Sequence, residues 1–216
     1  MISDYVDIVL ELFHLAVPQR IGSASVETKN GTRVMNIGPR IAPNPFYSSH
    51  RVFNDVLEYV SFLTTVKRQS VADMKPEEQQ RAEETLSSVE TKTISLLRSL
   101  SDPSLFRCVL THADLHSNNI LVDSCGHITA VLDWEVNYIL PAILGAEYPI
   151  WLSDQGTMDP RFASDTYWWE ESPEERQRLC AQFETVISSV RSTPNGYSNS
   201  LFSRSFVNAI PNFTSV

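Results

Sequence analysis

Residues 111–123 read THADLHSNNILVD, and residues 128–135 read ITAVLDWE. In both segments polar residues adjoin a short run of Ile, Leu or Val, and such runs are typical of short strands. The polar residues are therefore expected in loops at the strand ends. Loops that are held by strands often carry binding and catalytic residues.

This arrangement is expected to bring the side-chain oxygens of Asp114, Asn119 and Asp133 close together. A hairpin formed by residues 120–123 and 128–132 returns Asp133 to the loop that holds Asp114 and Asn119. The sequence therefore predicts that the two carboxylates and the amide converge at one point.

The order of these residues resembles a known superfamily. The first segment fits the pattern H-x-D-x-x-x-x-N with His112, Asp114 and Asn119. The second segment supplies Asp133 after a β-branched strand. Kinase-fold phosphotransferases have the same succession of a catalytic loop and a metal-binding segment.

Neighbouring residues favour one branch of that superfamily. Protein kinases carry Arg before the catalytic Asp and Phe-Gly after the metal-binding Asp, whereas this chain has Ala113 and Trp134-Glu135. The pattern is similar to that of the aminoglycoside phosphotransferase and choline kinase-like family. Residues 17–23 and 37–39, with the hairpin between them, resemble fungal members where the chain enters the C-terminal lobe.

The resemblance implies a role for each residue of the predicted site. By motif position, Asp114 is the catalytic residue that accepts the hydrogen bond of the acceptor hydroxyl, and Asn119 and Asp133 bind Mg²⁺ and, through it, ATP. The implied reaction is phosphoryl transfer from ATP to a small-molecule hydroxyl, with Mg²⁺ and ATP as cofactors. The acceptor itself does not follow from the sequence. Supporting positions are assigned to His112, His116 and Glu135.

The likeness covers most of residues 1–152 and implies an α+β fold. We expect the mostly helical C-terminal lobe of the protein-kinase-like fold, with short β-hairpins that carry the catalytic loop. One unit is expected over residues 1–191, with the catalytic loop at 111–123 and the metal-binding segment at 128–135. The tail at 192–216 is rich in Ser, Asn and Pro and is expected to be poorly ordered.

Apolar side chains recur every three or four residues in several segments. Helices are expected at residues 3–15, 49–66, 76–100 and 173–190. Between the first two, Asn30-Gly31 predicts the tight turn of a small hairpin over residues 23–37, since both residues tolerate a positive φ.

The N-terminal ATP-binding lobe of a complete enzyme is expected to be missing. That lobe covers the phosphates with a Gly-rich loop and contacts them with a Lys on a strand. None of the four lysines lies centrally in a β-branched run, and the early glycines are too dispersed to form such a loop. The lysines are Lys29, Lys67, Lys75 and Lys92, and the glycines are Gly22, Gly31 and Gly38.

Several alternatives to an active kinase therefore stay open. The chain could be a truncated gene product or a non-catalytic, pseudokinase-like binding module. In the second case a partner chain would cover the surface exposed between the lobes. A third alternative is a repurposed enzyme in which Asp114 and Asp133 serve a different chemistry.

Composition excludes several other classes. The net charge is -9, with 17 basic and 26 acidic residues and no dense Lys or Arg run, so nucleic acid is not an expected partner. No apolar stretch approaches the roughly 20 residues that a membrane span requires. Asp4 lies where a secretory signal would carry positive charge. With three widely spaced cysteines, we expect reduced thiols and a cytoplasmic location.

Overall fold

The structure is a computed structural model that describes residues 2–42, 47–115, 117–146 and 173–191. Within these ranges five α-helices and six β-strands follow one another: α1 (Ile2–His14), β1 (Ser23–Lys29), β2 (Thr32–Gly38), α2 (Val56–Ala72), α3 (Pro76–Ser99), β3 (Cys108–His112), β4 (Ile120–Val122), β5 (Ile128–Val131), β6 (Asn137–Pro141), α4 (Ala142–Gly145) and α5 (Pro173–Arg191). The predicted α+β class is confirmed. The predicted tail at 192–216 and His116 lie outside the described residues.

The strands form three small antiparallel sheets: β1–β2, β3–β6 and β4–β5. The first two are joined at Gly22, whose N–H and C=O bond to the Ile139 backbone at 3.2 and 2.8 Å. A Cβ atom at Gly22 would lie 2.2 Å from the carbonyl oxygen of Gly38, so only glycine allows this close approach. The β1–β2 hairpin is thus tied to the strand that follows the predicted metal-binding segment.

The hairpin turns follow the sequence predictions. Asn30 and Gly31 have φ values of 51° and 78°, as a tight turn between β1 and β2 requires. The β4–β5 hairpin also forms, with Ile120 paired to Val131. Its turn is closed by Asp123, whose carboxylate accepts from the backbone N–H groups of Cys125 and His127.

The start of α2 differs from the predicted helix at 49–66. Phe53 exchanges two backbone hydrogen bonds with Ile21, at 2.8 and 2.9 Å, which keeps this part of the chain extended. The helix begins after Asp55, whose side chain accepts from the N–H of Glu58 at 2.8 Å. A capping carboxylate and a long-range bridge therefore decide the boundary.

Strand β6 was not predicted. All five of its residues are buried, and it pairs with β3 from Cys108 opposite Pro141 to His112 opposite Asn137. An apolar run without alternation does not by itself separate a buried strand from other buried structure. The pairing places the start of β6, at Asn137, beside His112 at the start of the catalytic loop.

Two apolar cores hold the helices to the sheets, and a third lies under the catalytic loop. The first core contains Phe13, Val60 and Leu97, and the second contains Ile21 and Phe53. Among the described helices, none is both long enough and apolar enough to cross a bilayer.

Candidate active site

The catalytic loop is anchored by its own leucine. Leu115 is buried, and it packs with Tyr5 and Val6 of α1 and with Phe183 of α5. Burial of a leucine side chain contributes about 1.5–3 kcal/mol relative to exposure, so this contact can hold the loop. Asp114, the preceding residue, is half-buried at the edge of this core.

Asp114 and Asn119 are in direct contact. The Asn119 side chain is buried, and its Nδ2 donates to the backbone oxygen of Asp114 at 2.8 Å and to its Oδ2 at 3.4 Å. The amide nitrogen faces two acceptors, so the side-chain oxygen of the same amide points away from Asp114. The two ends of the predicted loop are thereby joined.

Asp133 follows β5 and lies beside that pair. The N–H of Leu132 donates to the backbone oxygen of Asn119 at 2.8 Å, which brings the two segments together. Asp133 has a φ of 60°, in the left-handed region that Asp enters more readily than most residues. Its carboxylate is exposed, and within the described ranges no group hydrogen-bonds or ion-pairs with it.

His112 connects the catalytic loop to the segment before Asp133. Its Nδ1 accepts from the N–H of Asp114 at 3.2 Å, and its Nε2 lies 2.8 Å from the carbonyl oxygen of Leu132. Because Nδ1 accepts, Nε2 must carry the proton that it donates to Leu132. The buried ring also meets Trp134 edge-on, with centroids 4.7 Å apart.

The Asn137 side chain, like that of His112, bonds to backbone groups, and these contacts were not predicted from the sequence. Its Oδ1 accepts from the N–H of Ala24 at 2.8 Å, and its Nδ2 donates to the carbonyl oxygens of Trp134 and Ala24 at 2.9 and 3.2 Å. The side chain is buried. The available signal was an Asn in an apolar run, since a buried amide needs hydrogen-bond partners.

Arg40 and Tyr138 form a cation–π contact that was not predicted from the sequence. The Arg40 guanidinium lies 4.3 Å from the centre of the Tyr138 ring, and its Nη1 donates to the carbonyl of Tyr47 at 2.6 Å. Burial raises the pKa of Tyr138; the Arg40 charge opposes this shift and the Asp114 carboxylate adds to it. The phenol is therefore within electrostatic range of Asp114.

A family model described as "Phosphotransferase enzyme family" matches residues 16–136. The chain belongs to this family. The match includes the loop from Thr111 to Asp123 and extends through Asp133, and it confirms the resemblance drawn from the motif.

A curated protein is similar to this chain. The "Clavilactone A biosynthesis cluster protein Y" of Ampulloclitocybe clavipes is 44% identical over 181 residues, which are 83% of this chain and 44% of the relative. The chain therefore spans less than half the length of that protein. No solved structure matches the chain.

Glu135 and His116 are the remaining residues of the predicted site. Glu135 is exposed, and no described residue pairs with its carboxylate. His116 lies outside the described residues. The supporting roles that were predicted for both residues stay predictions.

The oxygen donors fit Mg²⁺ as a partial set of ligands. In the described part of the chain, no cluster of three or more His, Cys, Asp or Glu side chains could hold a metal ion. Asp114, Asn119 and Asp133 offer two carboxylates and one amide, which are hard oxygen donors. Mg²⁺ in phosphotransferases is commonly bound by one or two carboxylates, together with water and substrate phosphates. This chemistry suits an ion that arrives with a nucleotide.

Proposed function

We propose that this chain contributes the catalytic loop and metal-binding segment of an ATP- and Mg²⁺-dependent phosphotransferase that acts on the hydroxyl group of a small molecule. The observation that carries the proposal is the contact between Asp114 and Asn119, with Leu132 bonded to Asn119 immediately before Asp133. All of these residues lie within residues 16–136, the part of the chain that the family model matches.

Each side chain has a distinct task in this proposal. Asp114 accepts the hydrogen bond of the acceptor hydroxyl, orients its oxygen and takes up its proton. Asn119 and Asp133 hold Mg²⁺, which neutralises charge on the phosphate oxygens. His112 keeps the backbones on both sides of this group in register through its two ring nitrogens. Most of the rate in such chemistry comes from positioning and electrostatics.

The acceptor class is suggested by the relative. Its name places that protein in a biosynthesis cluster for clavilactone A. We therefore propose that the acceptor of the present chain is a small hydroxyl compound from a biosynthetic route.

The proposal is tested in the protein at the full length that its gene encodes. Asp114→Asn is expected to lower phosphoryl transfer by about 10²- to 10⁴-fold, because the base is lost while the fold is kept. Asp133→Asn is expected to weaken MgATP binding, measured by calorimetry. Asp73→Asn, which changes an exposed carboxylate after α2, is the matched control and keeps wild-type activity. Unchanged transfer in Asp114→Asn would remove the assigned role.

A non-catalytic binding module is the second candidate, and one surface favours it. Four large apolar side chains that lie between Asn119 and Glu135 in the sequence are exposed: Leu121, Val122, Leu132 and Trp134, at 47%, 51%, 42% and 36%. An apolar surface of this kind suits a covering lobe or a partner chain. Absence of MgATP binding in the full-length protein would favour this candidate, whereas turnover would exclude it.

A further inference from the structure

The backbone conformation of Asp133 needs support from its surroundings. A left-handed φ of 60° is unfavourable for a residue other than glycine and persists where neighbouring contacts fix it. The direction of the Asp133 carboxylate depends on this conformation. Contacts that hold the neighbouring residues Leu132 and Trp134 therefore control this direction.

Side chains hold one carbonyl on each side of Asp133. The carbonyl of Leu132, in the peptide directly before Asp133, accepts from His112, and the carbonyl of Trp134, one peptide beyond the peptide that follows Asp133, accepts from Asn137. His112 and Asn137 face each other in the β3–β6 pairing. One cross-strand pair thus holds the chain at Leu132 and at Trp134, the two neighbours of Asp133.

The Asn137 amide has one productive orientation. Its oxygen accepts from the N–H of Ala24, while its nitrogen donates to the carbonyls of Ala24 and Trp134. A half-turn of the amide would set nitrogen against the Ala24 N–H and oxygen against the Trp134 carbonyl. Buried donors and acceptors that are left unpaired are costly, so the side chain is locked.

We propose that Asn137 is a positioning residue for Asp133, which holds the Trp134 peptide and so aims the Asp133 carboxylate at a divalent cation. Through Ala24, the β1–β2 hairpin becomes part of the same support. The inference rests on the proposed function, because it concerns the cation that Asp133 binds there.

The test measures cation affinity without requiring the acceptor. Mn²⁺ replaces Mg²⁺, and the electron paramagnetic resonance signal of free Mn²⁺ is followed in titrations of the 216-residue chain. Asn137→Ala is expected to weaken Mn²⁺ binding by about 10- to 100-fold, as is usual when a group that orients a metal ligand is removed. Asn137→Ser keeps one hydroxyl donor and is expected to lie between Asn137→Ala and wild type.

Gln19→Ala is the matched control. Its amide also bridges backbone groups, since it accepts from the N–H of Cys108 at 2.9 Å, at the opposite end of β3 from His112. Loss of this amide is expected to lower the melting temperature and leave Mn²⁺ affinity unchanged. A purely structural role for Asn137 would give the same pattern as this control.

The outcomes distinguish a failure of the inference from a failure of the proposed function. If Asp133→Asn loses Mn²⁺ while folded Asn137→Ala and Asn137→Ser bind it as wild type does, the inference fails and the proposed function stands. Should Asn137→Ala not fold, the serine variant decides the question alone. If wild type binds no Mn²⁺, or Asp133→Asn binds it equally well, Asp133 does not hold the cation, and the inference fails together with the metal-binding role that the proposed function gives to Asp133.

Discussion

The α2–α3 pair and residues 111–137, here called the site segment, are held in different ways. Core residues such as Val60 and Leu97 fix the helix pair, with added ion pairs from Arg68 to Glu83 and Glu90. In the site segment, side chains that bond to backbone groups add to the buried contact of Leu115. Apolar burial is strong but non-directional, whereas hydrogen bonds set direction. We therefore expect the first region to control stability and the second to control geometry.

The largest effect on stability is expected in the helix pair. Leu97→Ala removes a side chain that is 3% exposed in the first core and should lower the free energy of unfolding by about 2–5 kcal/mol. Urea denaturation gives this value. Mn²⁺ affinity of the folded variant should stay at the wild-type level. A fall in affinity that matches the loss of stability would break the distinction between the two regions.

A smaller loss of stability with a clear loss of function is expected in the site segment. His112→Ala leaves the Leu132 carbonyl and the Asp114 N–H without their side-chain partner, which should cost about 1–3 kcal/mol. Mn²⁺ affinity should fall by about 10- to 100-fold. His50→Ala, at an exposed histidine before α2, is the control and should change neither quantity. Unaltered affinity in folded His112→Ala would show that the ring does not position the site.

The smallest effect is expected where α1 meets the site segment, and it depends on pH. The Asp4 carboxylate accepts from the N–H of Ile128 at 3.2 Å, and this bond holds the pKa of Asp4 below its ordinary value. A carboxylate with a lowered pKa stabilises the fold when ionised. Its contribution is therefore complete above the ordinary Asp pKa of about 4 and is lost as pH falls through the lowered value.

The difference in unfolding free energy between wild type and Asp4→Asn should thus be present at neutral pH and shrink in acid. Asp7→Asn, which changes an exposed acid on the same helix, should show no such trend. A difference that persists unchanged through the acid range would contradict the role of the Ile128 bond.

Local signals explain which parts of the fold could be predicted. Pro76 marks the start of α3, and Asn30-Gly31 forms the predicted turn. The start of α2 was placed too early because the bridge from Phe53 to Ile21 is a long-range contact. In each successful case, neighbouring residues carry the determining preference.

The same distinction applies to the candidate site. The motif identified Asp114, Asn119 and Asp133, because their spacing is local. Asn137 was missed because its partner Ala24 lies 113 residues away along the chain. Positioning residues of this kind depend on pairing between distant strands, which periodicity and spacing do not contain.

The central claim is that Asn119 and Asp133 hold one divalent cation beside Asp114. Nuclear magnetic resonance of the ¹⁵N-labelled chain tests it directly, because substoichiometric Mn²⁺ broadens the signals of nearby amides. The amides of these three residues should broaden first, while those of the acidic first turns of α3 stay sharp. Broadening that begins at α3, or that is equal throughout the chain, would contradict the claim.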